Sequence, residues 1–183
     1  MLHLHQHNPE KYYLTVPFAE FPRRFGTRLH PSPRHLTLVP WFRCSSRNTQ
    51  ELLSALQEFC SVQSPFDITF NAVQGFGGSG EIEAQAVKSG REDIIKLHCG
   101  LLAVVSAFAT IIDSSYVADG YSPHSSVEAH GVFSEDQLVN VRSVLVVGKY
   151  VKNEHCINDS DKEHSAGFRL GPKPSTSDDL VVG

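Results

Sequence analysis

The order of helical and strand-like segments constrains the fold of this chain more than any other feature. Only two segments carry apolar residues at helical spacing, one beginning near Asn48 and a longer one near Ser89. Segments with the alternation typical of strands lie around them, at residues 12–18, 35–42, 66–74, 81–88, 110–113 and 141–151. This order predicts an α+β fold in which two helices pack on mostly antiparallel sheet.

The two helices have recognisable start signals. Asn48 with Glu51, and Ser89 with Glu92, have the spacing of a capping box. Gly100 lies inside the second helix, where it costs about 1 kcal/mol relative to alanine, so a close helix contact is expected there.

Composition suggests a single folded domain flanked by less ordered ends. We expect a flexible N-terminus over residues 1–10, a domain over residues 11–152, and a disordered tail over residues 153–183. In that tail the acidic residues outnumber the basic ones by six to three.

The chain has no features of a secreted or membrane-spanning protein. Its four cysteines form no C-x-x-C pair, which favours a reduced, cytoplasmic setting and leaves a nuclear location open. The N-terminus lacks the pattern of a signal peptide, and no apolar run is long enough to cross a bilayer. We therefore expect no membrane partner.

Residues 32–42, SPRHLTLVPWF, form an apolar strand with an unusual second face. Leu36 and Leu38 share one face, whereas His35 and Thr37 point to the other. A sheet histidine with internal partners would explain this pattern, and so would a catalytic imidazole beside a hydroxyl group.

Residues 121–133, YSPHSSVEAHGVF, repeat the pattern 89 residues later. Ser-Pro is again followed by a histidine, His124, and by a hydroxyl residue two positions on, Ser126. Ten histidines would give about one and a half H-x-Ser/Thr patterns by chance, and the chain has three. The third begins at His30 in a proline-rich loop, so context distinguishes the other two.

Residues 12–150 resemble the 2H phosphoesterase superfamily, and most closely its 2′-5′ RNA ligase and cyclic phosphodiesterase branch. Its defining feature is a pair of H-x-Thr/Ser motifs, here His35-Leu36-Thr37 and His124-Ser125-Ser126. Further similarity lies in PFDITF at residues 65–70 and in Gly75-Phe76. The resemblance implies two similar lobes of antiparallel sheet with outer helices, around a central cleft that carries both motifs.

The resemblance also implies a chemistry that suits these side chains. His35 and His124 would act as general acid and base, since an imidazole titrates near neutral pH. Thr37 and Ser126 would bind the phosphate oxygens. This scheme requires no cofactor and no metal. The expected partner is RNA or a nucleotide with a 2′,3′-cyclic or 2′-5′ phosphodiester, and the expected state is a monomer.

An excess of arginine near the first motif suits phosphate contact. Six arginines lie between residues 20 and 50, at positions 23, 24, 28, 34, 43 and 47. Of these, Arg28 and Arg34 are candidates for RNA contacts, as is Tyr121 from the second motif segment.

Two departures from the family pattern leave other functions open. Glu128 and Ala129 follow the second motif, where many members of the ligase branch have an arginine at the position of Ala129. A non-catalytic relative that binds RNA ends is therefore the alternative. A third possibility is an interaction domain in which both histidines are structural.

Overall fold

A computed structural model describes residues 11–18, 34–77, 80–127, 131–149 and 162–171. The helices are α1 (Ser46–Ser61) and α2 (Arg91–Phe108). The strands are β1 (Lys11–Pro17), β2 (His35–Cys44), β3 (Phe66–Ile68), β4 (Phe70–Phe76), β5 (Ile82–Val87), β6 (Ala109–Ile111), β7 (His124–Ser126), β8 (Val139–Val141), β9 (Ser143–Lys149) and β10 (Lys162–Arg169). Two 3₁₀ turns, Ser114–Tyr116 and Ala118–Gly120, lie between β6 and β7.

The strands form three antiparallel sheets. The largest has the order β10-β9-β1-β2-β6, a second has the order β4-β5-β7, and a third pairs β3 with β8. The predicted α+β class is confirmed. The first H-x-Thr/Ser motif lies on β2 of the five-stranded sheet, whereas the second lies on β7 of the three-stranded sheet.

The core lies between the five-stranded sheet and the two helices. Alternate residues of β1 and β2, among them Leu14, Leu36 and Leu38, are fully buried with Ile94 and Leu101 of α2. Burying such a side chain contributes roughly 1.5–3 kcal/mol. The apolar side of β2 therefore packs against α2, and His35 and Thr37 lie on the other side of the strand.

Gly100 allows the two helices to pack closely. A β-carbon at this position would lie 2.3 Å from the Phe59 ring of α1. The close contact expected from the sequence is confirmed.

Both helices begin at different residues from those predicted. α1 is capped by Ser45, whose Oγ accepts a hydrogen bond from the Asn48 amide, so Asn48 is already inside the helix. α2 is capped by Gly90 with φ of 70°, and the Ser89 hydroxyl bonds Thr69 Oγ1 instead. Ser89 is not the cap because the chain makes a left-handed turn after it.

Two predicted strands are divided between sheets. Residues 66–74 split at Thr69 into β3 and β4, and residues 141–151 overlap the separate strands β8 and β9. The two halves of each segment lie in different sheets, because β3 pairs with β8 whereas β4 pairs with β5 and β9 pairs with β1. Hydrophobic periodicity does not show which neighbour a strand has.

The predicted disordered tail is wrong for residues 162–171. β10 pairs with β9, and Ala166, Phe168 and Leu170 are buried in the core. The polar run at residues 162–165, in the first half of the strand, conceals this pattern. The predictions for residues 1–10, 153–161 and 172–183 fall outside the described residues.

Candidate active site

β2 presents His35 and Thr37 on the side opposite the core. Leu36 and Leu38 have no exposed surface, whereas His35 and Thr37 are half-buried. In the pairing of β2 with β1, His35 lies opposite Pro17 and Thr37 opposite Thr15. The His35 ring also lies 5.8 Å from the Tyr13 ring, centroid to centroid. The alternation predicted for this strand is confirmed at residues 35–38, and it ends at Val39, which is buried in the core with Leu38 because the pairing with β1 shifts register there.

β7 presents the second motif in the same alternating way. Ser125 is fully buried, whereas His124 is half-buried and Ser126 is exposed. The strand is only three residues long and pairs with β5. His124 and Ser126 therefore share the face that points away from the interior.

The His124 ring is held by two contacts. Its Nδ1 donates a hydrogen bond to the Ser122 carbonyl at 2.7 Å, which requires the proton to be on Nδ1. The ring also stacks on Phe76, with 4.4 Å between centroids and 27° between planes. These contacts involve Nδ1 and one face of the ring.

Contacts between β2 and the segment of the second motif bring the two patterns together. Tyr121 Oη donates to the Thr37 carbonyl at 2.9 Å, although the two residues are 84 positions apart. Arg34 Nε donates to Ser125 Oγ at 3.4 Å. The residue before His35 thus contacts the residue after His124.

Arg34 is engaged within the protein, and its role as an RNA contact stays a prediction. Its side chain is only 9% exposed, and burial lowers its pKa. Nη2 donates to Gln85 Oε1 at 2.7 Å, and the guanidinium lies 3.4 Å from the centroid of the Phe133 ring. Arg34 is buried because side chains alternate along the chain here, which places Arg34 on the same side as Leu36.

Tyr121 is also engaged within the protein. Besides its bond to β2, its ring stacks on His98 with 3.8 Å between centroids and 6° between planes, and burial raises the pKa of its hydroxyl. Its role as an RNA contact stays a prediction. Arg28, Glu128 and Ala129 lie outside the described residues.

Sequence reasoning missed His98, which supports the first motif from α2. It is fully buried, its Nδ1 donates to the Leu38 carbonyl at 2.6 Å, and its Nε2 accepts from the Ala118 amide at 3.1 Å. Burial lowers its pKa, so the neutral form is favoured. Its place four residues after Ile94, on the apolar stripe of the helix, is the signal that could have revealed it.

The described part of the chain has neither a metal-ligand cluster nor a membrane-spanning helix. Within it, no group of three or more histidine, cysteine or acidic side chains is placed to hold a metal ion. None of the helices described here is both long and apolar enough to cross a bilayer.

Solved structures with the same fold include several of one bacterial protein. Escherichia coli LigT complexed with 3′-AMP has a TM-score of 0.61 and 12% identity, and the match covers 89% of this chain and 99% of that one. LigT complexed with NADP⁺ has a TM-score of 0.57 and 14% identity, with 89% and 98% covered. A Thermus thermophilus protein matches with a TM-score of 0.57 and 14% identity, covering 89% and 99%. The fold is thus that of the LigT-like 2H phosphoesterases.

The family follows from the sequence match. The family model of the 2′-5′ RNA ligase superfamily matches residues 16–135, a span that includes both histidine motifs. The chain therefore belongs to the 2′-5′ RNA ligase superfamily, whose members are in general enzymes. No curated protein matches the sequence significantly.

Proposed function

We propose that this protein is a phosphodiesterase that opens the 2′,3′-cyclic phosphate of an RNA end or a nucleotide, or cleaves a 2′-5′ linkage, with His35 and His124 as acid and base. One observation carries the proposal. Two histidines from distant parts of the chain, each with a hydroxyl residue two positions later, lie on the outward faces of two strands that contact each other. The 3′-AMP and phosphate complexes of LigT support a nucleotide phosphate as the ligand.

The proposed reaction needs two proton transfers. One neutral imidazole takes a proton from water as the water oxygen attacks phosphorus. The other, protonated imidazole gives a proton to the 2′ or 3′ oxygen as its bond to phosphorus breaks. Each transfer contributes roughly 10²–10⁴-fold, and a reaction in which histidines make both transfers requires no metal ion.

The hydroxyl groups have a separate role. Thr37 and Ser126 have the exposure needed to donate hydrogen bonds to non-bridging oxygens, where negative charge increases in the transition state. For His124, Nε2 is the proton-transferring nitrogen because Nδ1 is already used by the Ser122 carbonyl.

The test is a turnover assay in EDTA. The substrates are nucleoside 2′,3′-cyclic phosphates, a short RNA with a cyclic phosphate end, and 2′-5′ oligoadenylate. His35→Ala and His124→Ala are measured beside the wild type, with Ser134→Ala as a control at an exposed hydroxyl outside the motifs. Circular dichroism verifies that each variant is folded.

The proposal expects turnover that survives EDTA, persists in Ser134→Ala and is lost in both histidine variants. Turnover that requires a metal, or that survives in either histidine variant, would contradict it. Tight binding of the cyclic-phosphate RNA without turnover would instead identify the chain as an RNA-end-binding relative.

A further inference from the structure

Arg34 links the two motif strands on the side opposite the histidines. Arg34 is bonded directly to His35 in the chain, and its hydrogen-bond partner Ser125 is bonded directly to His124. Because side chains alternate along a strand, both of these residues point inward while both histidines point outward. The contact thus lies beneath the two motifs.

Gln85, the second hydrogen-bond partner of Arg34, is itself held in one orientation. Gln85 is the register partner of Ser125 on β5, and its Oε1 accepts from both Arg34 Nη2 at 2.7 Å and the Phe133 amide at 2.8 Å. Its Nε2 donates to the carbonyls of Asn71 and Phe133, at 2.9 Å each. Since every polar group of this buried amide is used, the side chain has one orientation only.

The described partners of the Arg34 guanidinium carry no negative charge. Its partners are an amide, a hydroxyl and an aromatic face, and no ion pair to Arg34 occurs among residues 34–77, 80–127 and 131–149. Burying a cation with neutral partners is costly. An apolar side chain would fill this place at less cost, so the arginine has a function that packing alone does not explain.

We propose that Arg34 is a positioning residue, and that the Arg34 bridge, made of Arg34, Gln85 and Ser125, sets the separation of His35 and His124. The guanidinium extends from the five-stranded sheet to the three-stranded sheet and fixes β2 relative to β7. Its positive charge also lies beneath the place where the proposed function puts a phosphate. The catalytic consequence rests on that proposed function, whereas the geometric consequence does not.

The test compares three substitutions in the bridge with one outside it. Arg34→Met removes the charge and both hydrogen bonds. Arg34→Lys retains the charge without the planar guanidinium. Ser125→Ala removes only the hydrogen bond between Arg34 Nε and Ser125 Oγ. Arg43→Met is the matched control, because Arg43 is an exposed arginine on the same strand. kcat and KM are measured with a nucleoside 2′,3′-cyclic phosphate, and ring resonances of His35 and His124 are recorded by NMR.

We expect kcat of Arg34→Met to fall about 100-fold, the loss that a misplacement of about 1 Å produces, with KM changed by less than about threefold. Arg34→Lys should recover part of the loss, Ser125→Ala should lose a few-fold, and Arg43→Met should match the wild type. Both histidine resonances should shift in Arg34→Met, which a general loss of stability in a folded protein would not cause.

The results separate this proposal from the proposed function. Unchanged kcat and unchanged resonances in folded Arg34→Met would overturn the positioning role, as would a rise in KM alone, which indicates a substrate contact. If the wild type has no turnover but both resonances shift in Arg34→Met, the bridge is supported and the proposed function fails. Should Arg34→Met not fold, Arg34→Lys and Ser125→Ala decide by the same two measurements.

Discussion

The two motifs share a pattern but are supported in different ways. The first lies on a ten-residue strand with a partner on each side, inside the five-stranded sheet. The second lies on a three-residue strand at the edge of the three-stranded sheet. Backbone pairing therefore orients His35, whereas little backbone pairing is available to orient His124.

Contacts from other residues supplement the pairing of the short strand. The second motif is contacted by the Ser122 carbonyl, by the Phe76 ring and by the Arg34 side chain, which donates to Ser125. The comparison teaches that two copies of one sequence motif need not be equally tolerant of substitutions around them. We expect the second motif to be more sensitive to substitutions at residues that are not in it.

The largest expected decrease in kcat follows from replacing either histidine, and it should be similar for the two motifs. His35→Ala and His124→Ala should each lower kcat by roughly 10²–10⁴-fold, since each removes one proton transfer. Steady-state kinetics on a cyclic phosphate measures this. A loss confined to one variant would show that the two histidines do not form an acid–base pair.

The turn from β5 into α2, which packs against β3, should depend on Gly90. Gly90→Ala should lower the free energy of unfolding by about 3 kcal/mol, because φ is positive and the new β-carbon would lie 2.5 Å from the Asp67 carbonyl oxygen. Urea unfolding measures the change. Gly77→Ala is the control, with φ of 87° and open space around it, and should cost only about 1–2 kcal/mol. Equal losses would show that the contact with Asp67 contributes nothing.

The support of His124 by an aromatic ring can be tested alone. Phe76→Leu should lower kcat about 10-fold, because an apolar side chain remains but the stacked ring that limits rotation of the imidazole is gone. Val73→Ala, at an exposed residue of the same strand, should have no effect. Unchanged kcat in Phe76→Leu would mean that the Ser122 contact is sufficient.

The stability that His98 contributes through its bond to the Leu38 carbonyl, next to the first motif, should depend on pH. Burial lowers the pKa of His98 in the folded protein. Below about pH 6.5, the ordinary pKa of histidine, this residue therefore binds more protons in the unfolded chain than in the folded one. Stability from this residue is fully present above that pH and decreases as the pH falls, by at most about 1.4 kcal/mol per pH unit.

His98→Asn provides the comparison for this effect, since asparagine keeps a donor for the Leu38 carbonyl but does not titrate. Urea unfolding between pH 7.5 and 5.5 should show a steeper loss for the wild type than for the variant. Parallel losses would show that His98 does not carry the effect.

Local sequence rules were sufficient wherever one residue type decides the outcome. The alternation of Leu36 and Leu38 with His35 and Thr37 predicted which side of β2 is buried. Composition did not indicate that Arg34 is buried, because a long charged side chain favours the surface unless a buried set of hydrogen-bond acceptors exists. That set comes from residues 51 and 91 positions later in the chain, Gln85 and Ser125. β10 was missed because its partner β9 supplies the burial that its own composition does not suggest.

The sequence by itself determined the α+β class, the outward faces of the two motifs and the pairing of each histidine with a hydroxyl residue. These follow from periodicity, which acts over a few residues. Only the tertiary structure decided that Arg34 contacts Ser125, that His98 and Tyr121 donate hydrogen bonds to β2, and that the two motif strands meet. Those features depend on contacts between residues distant in the chain, and a local pattern carries no information about which distant partner a buried polar group finds.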